Sequence, residues 1–410
     1  MIIRTILSFV FSLAVLEAQA QVDHSRGFDP VRLKVLHDTT GRFVGEGQHA
    51  GLITLLLHNG RIVDFQTYGY RDLEKKLRME RDTICRIYSM SKIITSVGVL
   101  ILMEEGRFNL DDAVANYLPE LKDLKVMTNA SGDSPNLESL KRPITIKHLL
   151  THTSGLVYDF DGSDALQKRY QRAELWNSTN LSEFIEKVGK LPLKHQPGDA
   201  FTYGINTDVL GALIERVSGV TFGDFLAQRI FRPLAMRDTA FDVPPDKMKR
   251  LAKTYKHGPD GKLVEAEPML GTWAESGKGI QSGGAGLFST ALDYSRLAQM
   301  LLNEGTLDGQ RILGRKTVEL MTTNHLVLLP DQAGLNRAQG FGLGVEVQLD
   351  LGRGGVLGSP GAYGWYGAAT TYARIDPVEK VVAIALAQHF PFNEHSFFAK
   401  FATGYYQALR

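Results

Sequence analysis

Residues 88–106 read YSMSKIITSVGVLILMEEG, a polar start followed by almost continuous apolar side chains. From Ser91 to Glu105 the apolar residues fall on every face of a helix rather than on one stripe, which is typical of a helix buried on all sides. Gly106 follows directly and can take the left-handed conformation in which many helices end. The stretch therefore predicts a buried helix whose first turn carries the polar residues.

Ser89 and Lys92 lie at the start of this helix, three residues apart. On a helix that spacing places two side chains on one face, a single turn apart, so the amino group could take a proton from the hydroxyl. Backbone N–H groups and the positive end of the helix dipole beside Ser89 would favour a developing oxyanion. A capping serine followed by a surface lysine is the alternative, because S-x-x-K is short enough to arise by chance.

The overall composition is that of a folded globular protein. Of 410 residues, 43% are hydrophobic and 22% are charged, so disorder does not describe the chain. The 46 Lys and Arg balance 45 Asp and Glu, which argues against nucleic acid or an anionic membrane as the main partner, since both require a basic surplus. The length fits one large domain or two closely packed ones.

Residues 1–20 have the pattern of a secretory signal peptide, with Arg4 before a mostly apolar stretch of eleven residues, Ile6–Leu16, and a closing Ala-Gln-Ala. A hydrocarbon core takes about 20 residues to cross, so this stretch is too short to span one. We therefore expect a mature chain of residues 21–410 that is secreted or periplasmic and has no membrane span. The single cysteine, Cys85, permits no internal disulfide in that oxidising compartment.

Strand patterns occur at both ends of the chain. Two β-leaning runs, Ile53–His58 and Arg61–Tyr68, are separated by Asn59-Gly60, a pair that favours a tight hairpin turn. Further strands are predicted at 341–349, 369–375 and 381–387, before a terminal helix at about 397–409. The early hairpin and the late strands most simply join one antiparallel sheet.

The middle of the chain is mostly helical. Besides the buried helix, helical spacing predicts helices at 181–188, 209–217, 222–231 and 291–304. We therefore predict an α+β fold in which the helical middle is an insertion packed against the sheet. The sheet region would comprise about residues 21–88 and 335–410, and the helical region about 89–334.

His148 and His152 place two imidazoles four residues apart, as helical metal sites do. The glutamate of a zinc-peptidase helix is absent between them, and no third ligand is evident nearby in the sequence. We therefore expect no metal ion at this pair.

Six short segments of the chain belong to one pattern. They are Ile87–Lys92, Ile146–Leu156, Pro197-Gly198 leading to Tyr203, Asp208–Gly211, Gly283–Thr290 and Gly364–Gly367. In this order they resemble the β-lactamase and penicillin-binding-protein superfamily of serine hydrolases, specifically the class C-like branch that includes the family VIII carboxylesterases. With the flanking strands the resemblance spans residues 50–386. It implies a β-lactamase/transpeptidase-like fold, an antiparallel sheet flanked by helices beside an all-helical region, with the site between them.

The resemblance also implies a site, residue by residue. Ser89 would be the acylated nucleophile, Lys92 its proton acceptor, and Tyr203 a second proton carrier that protonates the leaving group. The oxyanion hole would be the backbone N–H groups of Ser89 and Ala368. Gly367 would let a substrate carbonyl approach the strand edge. No cofactor or metal ion is implied.

Two departures from the lactamase pattern bear on the substrate. Tyr203 is followed by Ile205 and then Asn206, so the asparagine of the Tyr-x-Asn motif comes one position late and cannot be assumed to hold a substrate amide. The third motif, Lys-Thr-Gly in lactamases and carboxypeptidases, reads Trp365-Tyr366-Gly367, which we expect to bind substrate. It lacks the cation that binds a β-lactam carboxylate, a contact typically worth about 1.5 to 3 kcal/mol. This Trp-x-Gly form is that of the esterase branch, and an apolar indole favours uncharged esters.

The leading interpretation is an exported serine carboxylesterase that acts on short-chain acyl esters through a covalent acyl-enzyme. A D,D-carboxypeptidase or β-lactamase would use the same residues on a peptidoglycan-like or β-lactam substrate. An acyltransferase would pass the acyl group to an alcohol other than water. A catalytically silent binding protein on the same fold is disfavoured, because Ser89, Lys92 and Tyr203 are all present. The sequence leaves the oligomeric state open.

Overall fold

The structure, a computed structural model, describes residues 27–128, 136–159, 164–270, 279–327 and 338–410, together with Leu329 and Leu335. The predicted signal peptide, residues 1–20, lies outside these ranges. Within them, no helix combines the length and the apolar character that crossing a membrane requires.

The described residues form eleven α-helices and seventeen strands. The helices are α1 (Pro30–Gly45), α2 (Ser91–Glu104), α3 (Ile146–Leu150), α4 (Ala165–Arg172), α5 (Leu181–Val188), α6 (Asn206–Ser218), α7 (Phe222–Leu226), α8 (Ala291–Leu302), α9 (Arg315–Met321), α10 (Leu351–Gly354) and α11 (Phe397–Tyr406). The strands are β1 (Gly51–His58), β2 (Arg61–Asp72), β3 (Leu77–Arg78), β4 (Cys85–Arg86), β5 (Lys125–Met127), β6 (Leu137–Ser139), β7 (Tyr255–His257), β8 (Leu263–Glu265), β9 (Phe288–Ser289), β10 (Thr306–Leu307), β11 (Gln310–Arg311), β12 (Gln339–Phe341), β13 (Glu346–Gln348), β14 (Tyr363–Gly367), β15 (Thr371–Asp376), β16 (Val381–Leu386) and β17 (His389–Phe390).

One antiparallel sheet of eight strands joins the two ends of the chain, in the order β12-β13-β14-β15-β16-β1-β2-β3. β1 lies between its hairpin partner β2 and the late strand β16, with Ile53 opposite Leu386. The hairpin turn has Asn59 at φ +50° and Gly60 at φ +76°, the left-handed pair expected from Asn-Gly. The predicted fold class, an antiparallel sheet flanked by helices with a helical insertion, is confirmed.

The sheet is buried on both faces. Side chains of β1 alternate, so Ile53 and Leu55 join the large core shared with the helical middle of the chain. Leu52 and Leu56 face the other way and join a second core built with α1 and α11. The helix α8 packs on β1, β15 and β16 from the first side. A layer of helices on each face explains why β1 reads as an unbroken apolar run.

The helix α2 has the predicted bounds within one residue and is buried along nearly its whole length. It follows a short 3₁₀ turn, Tyr88–Met90, that contains Ser89. α2 packs against α6 and α7, while β14 and β15 contact the turn before it. The start of α2 therefore lies where the sheet meets the helical region.

The segment 341–349, predicted as one strand, is two short strands instead. β12 and β13 pair with each other, Phe341 opposite Glu346, and Gly344 lies in the turn between them. The prediction of a single strand was wrong. The turn is built from glycines among apolar residues and contains no polar residue, so the hydrophobic pattern does not mark it.

Candidate active site

Ser89 lies in the 3₁₀ turn directly before α2 and is partly exposed, whereas Lys92 in the first turn of α2 is only 1% exposed. The residue before the serine, Tyr88, has φ +44°, an uncommon conformation for a bulky side chain. Strained backbone of this kind is found where surrounding packing holds a functional group in a fixed position.

The structure brings together Ser89, Lys92 and Tyr203. The Tyr203 hydroxyl donates to Ser89 Oγ at 2.8 Å, and Lys92 Nζ donates to the same oxygen at 3.2 Å. Lys92 Nζ also lies 4.7 Å from the centre of the Tyr203 ring. Two proton-carrying groups thus converge on one serine oxygen.

Lys92 has two further partners, which hold its amino group in place. It donates to the Tyr158 hydroxyl at 3.0 Å and to the carbonyl oxygen of Gly284 at 2.8 Å. Sequence reasoning missed Tyr158, because it lies 66 residues from Lys92 and reads like any core aromatic. Gly284 belongs to one of the quoted segments, but its contact with the lysine could not be predicted.

A buried carboxylate completes this environment. Asp208 at the start of α6 accepts hydrogen bonds from the Ser282 hydroxyl at 2.5 Å and from the Gly284 N–H at 3.0 Å. Its burial raises the pKa of Asp208, while the charge of Lys92 acts in the opposite direction. Burial, with the charge of Asp208 next, raises the pKa of Tyr158 well above 10, so Tyr158 stays a neutral phenol.

Gly284 lies between these groups at a position where a side chain has no room. A Cβ there would come within 2.6 Å of Asp208 Oδ2 and 2.8 Å of the Tyr158 hydroxyl. The close approach explains why the segment that supplies the carbonyl for Lys92 carries glycine.

Asn206 does not line the cavity that contains Ser89. It is fully buried, its amide Nδ2 lies 2.9 Å from His152 Nδ1, and its Oδ1 accepts from the Ser154 hydroxyl. The His152 ring in turn packs against Tyr203, with 4.9 Å between ring centres. Asn206 thus contacts His152, which in turn packs against Tyr203.

The two histidines of the predicted non-metal pair have separate structural tasks. His148 accepts the Thr145 backbone N–H through Nδ1 and so closes the capping box of α3. His152 contacts Asn206 and Tyr203. Among the described residues, His257, Glu394 and His395 instead have donor atoms close enough to share a metal ion, and none of these three lines the cavity at Ser89.

The strand β14 passes close to the turn that contains Ser89, at Gly367. A Cβ on Gly367 would lie 2.3 Å from the carbonyl oxygen of Ile87, so only glycine allows this approach. Ala368 follows directly, and both Ser89 and Ala368 line one cavity. Their backbone N–H groups remain the predicted oxyanion hole.

That cavity has a volume of about 640 Å³ and extends from Ser89 toward α11. Its apolar lining comes from residues on several elements, namely Phe201, Leu335, Val356, Leu357, Trp365, Phe392 and Phe398. The indole of Trp365 donates to the Tyr203 hydroxyl at 3.4 Å, and the two rings are 5.5 Å apart. Trp365 therefore forms the part of the cavity wall beside Tyr203.

Among the described lining residues, the charged ones are Glu346 and Arg374, and they neutralise each other. Arg374 Nη2 lies 2.8 Å from Glu346 Oε1 in a pair that is at least nine-tenths buried. The Tyr366 hydroxyl donates to the same carboxylate at 3.1 Å. The predicted substrate-binding residue Tyr366 thus lines the far part of the cavity together with a neutral ion pair.

Fold and geometry together define an enzyme of the β-lactamase fold. The family model named Beta-lactamase matches residues 36–403, so the chain belongs to this family, whose members include serine hydrolases and acyltransferases.

Known relatives cover most of the chain. Protein Rv1367c of Mycobacterium tuberculosis is 33% identical over 84% of this chain and 87% of its own length. Lovastatin esterase of Penicillium rubens is 32% identical over 76% of this chain and 79% of its own. The structure of a simvastatin synthase variant (LovD6) from Aspergillus terreus superposes with a TM-score of 0.79 at 26% identity, covering 94% of this chain and 99% of that one.

Proposed function

We propose that this protein is a serine carboxylesterase that hydrolyses uncharged esters through an acyl-enzyme on Ser89. The observation that carries the proposal is the convergence of Lys92 and Tyr203 on Ser89 Oγ inside a mostly apolar cavity. The indole of Trp365 stands where lactamases carry a cation, so an uncharged ester loses less hydration on binding than a carboxylate would.

Acylation follows from the hydrogen bonds of Lys92. In its neutral form the amine can donate its two N–H bonds to Gly284 O and Tyr158, which leaves its lone pair directed at Ser89 Oγ. As the Ser89 oxygen bonds to the ester carbonyl carbon, its proton passes to Lys92. The N–H groups of Ser89 and Ala368 would bind the oxyanion that forms.

Collapse of this intermediate breaks the bond to the alcohol oxygen. Tyr203, which already contacts Ser89 Oγ, protonates the departing alkoxide and is reprotonated by Lys92. Water then attacks the carbonyl carbon of the acyl-enzyme, and its proton passes through Lys92 and Tyr203 to the Ser89 oxygen. The bond between that oxygen and the acyl carbon breaks, which releases the acid and restores Ser89. An alcohol in place of water would give acyl transfer by the same steps.

The cavity shape and one relative support an ester substrate. Its volume accommodates a bulky apolar group beside a short acyl chain, and its ion pair offers no free charge to a carboxylate. The relative named lovastatin esterase is consistent with ester hydrolysis on this fold.

The test compares p-nitrophenyl acetate and butyrate with the β-lactam nitrocefin on wild type and on Ser89→Ala. We expect kcat/KM for the better ester to exceed that for nitrocefin by at least about a hundredfold, with both activities lost in Ser89→Ala. Comparable efficiency on nitrocefin would favour a β-lactamase. Adding an alcohol acceptor distinguishes the remaining alternative, since a dominant ester product would identify an acyltransferase.

A further inference from the structure

Four histidines and one glutamate come together on the side of the molecule next to α11. The strand β17 pairs in parallel with β7, which brings His389 beside the end of the strand that carries His257. The rings of these two histidines are 5.2 Å apart. His49, from the segment between α1 and β1, packs edge-on against His389 at 4.5 Å.

Glu394 is the centre of the cluster. Its Oε2 lies 2.6 Å from His389 Nε2, 3.0 Å from His257 Nδ1 and 3.7 Å from His395 Nε2. The donor atoms of His257, Glu394 and His395 all lie within 4.8 Å of one another. Three donors thus surround one small volume, and His389 contacts it through Glu394.

The proton on His257 is fixed by its other contact. His257 Nε2 lies 3.2 Å from the carbonyl oxygen of Gly47, which can only accept, so Nε2 must carry the hydrogen. In the neutral ring Nδ1 then presents a lone pair toward the Glu394 carboxylate. The Nδ1 atom and the carboxylate thus face each other at 3.0 Å, as two ligands of one ion do.

The buried histidines of the cluster have ring nitrogens without hydrogen-bond partners, which is a separate observation. His49 and His389 are each 1% exposed, yet both ring nitrogens of His49 and Nδ1 of His389 have no hydrogen-bond partner among the described residues. Buried polar atoms in native proteins are rarely left in this state and usually contact an ion or ordered water.

We propose that His257, His395 and Glu394 bind one divalent transition-metal ion, with Zn²⁺ the best match. Imidazole and carboxylate are ligand types that Zn²⁺ prefers, and two imidazoles with one carboxylate leave the fourth tetrahedral position to water. The Gly47 carbonyl behind His257 is the outer hydrogen bond typical of metal-bound histidine.

The site would act on the candidate active site through the chain that leads from β17 to Glu394. Phe392 and Asn393 lie between His389 and Glu394, and both line the cavity that contains Ser89. A metal ion that joins the 389–395 segment to β7 would hold this part of the cavity wall in place.

The test uses full-length mature protein without a histidine tag. Metal content is measured by mass spectrometry after purification, and the metal-stripped protein is titrated with Zn²⁺ by calorimetry and with Co²⁺ by visible absorption. We expect one bound ion per chain and a higher Tm with Zn²⁺ than with chelator. Absence of saturable binding in wild type would overturn the inference.

His395→Gln and Glu394→Gln are the test variants, and His37→Gln is the matched control. His37 and His395 have similar exposure, 30% and 33%, and each faces one carboxylate. We expect at least about tenfold weaker Zn²⁺ binding in either folded cluster variant and unchanged binding in the control. Wild-type affinity in both cluster variants would overturn the inference.

Discussion

At the scale of single residues, Ser89→Ala removes the oxygen on which Lys92 and Tyr203 converge. Lys92 keeps its hydrogen bonds to Gly284 and Tyr158, so we expect the variant to fold. Esterase kcat should fall at least about 10³-fold. Mass spectrometry after fluorophosphonate treatment should find one adduct in wild type, on Ser89, and none in the variant.

An adduct elsewhere would contradict this assignment. Ser154 and Ser282 are the serines to examine, but both are fully buried, and their hydroxyls donate to Asn206 and Asp208. Because both side chains are buried and neither lines the cavity at Ser89, we expect the fluorophosphonate not to reach them.

Tyr158 is a positioning residue, because it acts through Lys92 rather than on substrate. Tyr158→Phe removes an acceptor of one Lys92 N–H and should lower kcat about tenfold or more while KM changes little. The control is Tyr170→Phe, which removes another buried hydroxyl, one that donates to the Pro192 carbonyl outside the cavity. Equal loss of kcat in both variants would show that Tyr158 only contributes to stability.

Trp365 tests the origin of substrate choice. Trp365→Lys places a cation on the cavity wall, where a charge-assisted contact to a carboxylate is worth about 1.5 to 3 kcal/mol. We expect nitrocefin kcat/KM to rise about tenfold or more and ester hydrolysis to fall. Trp365→Met, similar in length but uncharged, is the control. A rise of the same size in both variants would attribute the effect to lost bulk rather than to charge.

Sequence motifs named the residues around Ser89 but not the ones that support them. Ser89, Lys92 and Tyr203 belong to short segments with a fixed order, so their type and position could be read directly. Tyr158 and the Gly284 carbonyl depend on how distant loops fold back, which no local pattern encodes. The displaced motif indicated that Asn206 could not be assumed to bind substrate, but its contact with His152 could not be predicted.

At the scale of elements, Gly284 controls the packing of its loop against α6. Gly284→Ala would place a methyl group 2.6 Å from Asp208 and 2.8 Å from Tyr158, so both groups must shift and move the partners of Lys92. We expect kcat to fall at least about tenfold and stability to fall by about 1 to 3 kcal/mol. Gly45→Ala is the control, since a Cβ at the end of α1 meets nothing within 4 Å.

Urea unfolding and ester kinetics measured on both glycine variants decide this prediction. Gly45→Ala should keep wild-type kinetics, because its added methyl group is exposed. Wild-type kinetics in Gly284→Ala would mean that the Lys92 environment tolerates displacement.

Elements with strong patterns could be predicted, and elements with mixed patterns could not. α2 is a continuous apolar run that ends at a glycine, while α5 and the β1–β2 hairpin combine a clear period with a turn or cap signal. α1 was not predicted, because it contains Thr and Gly and exposes Val31 and Val35, so its apolar face is poorly marked. β14 is rich in glycine, which is required for its approach to Ile87 but lowers strand propensity.

At the scale of the whole molecule, the large sheet is formed by pairing strands that are far apart in sequence. β1 pairs with β16 because both are apolar on two faces and must be covered by helices on each side. That much followed from sequence, since the strand patterns occur at both ends of the chain and helices fill the middle. The position of β12 and β13 at the edge of the sheet could not be predicted from the sequence, because it depends on a turn built from glycines.

Burial of ionisable groups across the molecule predicts how its stability depends on pH. Burial, with the charge of Arg142 next, lowers the pKa of His148 to about 4, and burial with the charge of Lys92 lowers the pKa of His152 well below 6.5. Both imidazoles bind a proton more readily in the unfolded chain than in the folded one. The stability they contribute is therefore present above pH 6.5 and is lost as the pH falls below it. Burial raises the pKa of Asp293 to about 6, which has the opposite effect in the same range.

The two histidines should outweigh the aspartate between about pH 7.5 and 5.5. Each histidine costs about 1 kcal/mol on acidification, and Asp293 offsets about one of them, so wild type should be less stable at the lower pH. His148→Asn keeps an acceptor for the Thr145 N–H that caps α3 but does not titrate. Urea unfolding should therefore show a loss on acidification that is about 1 kcal/mol smaller in this variant. An equal loss in both proteins would mean that His148 ionises alike in the folded and unfolded chains, so its burial does not contribute to the pH dependence.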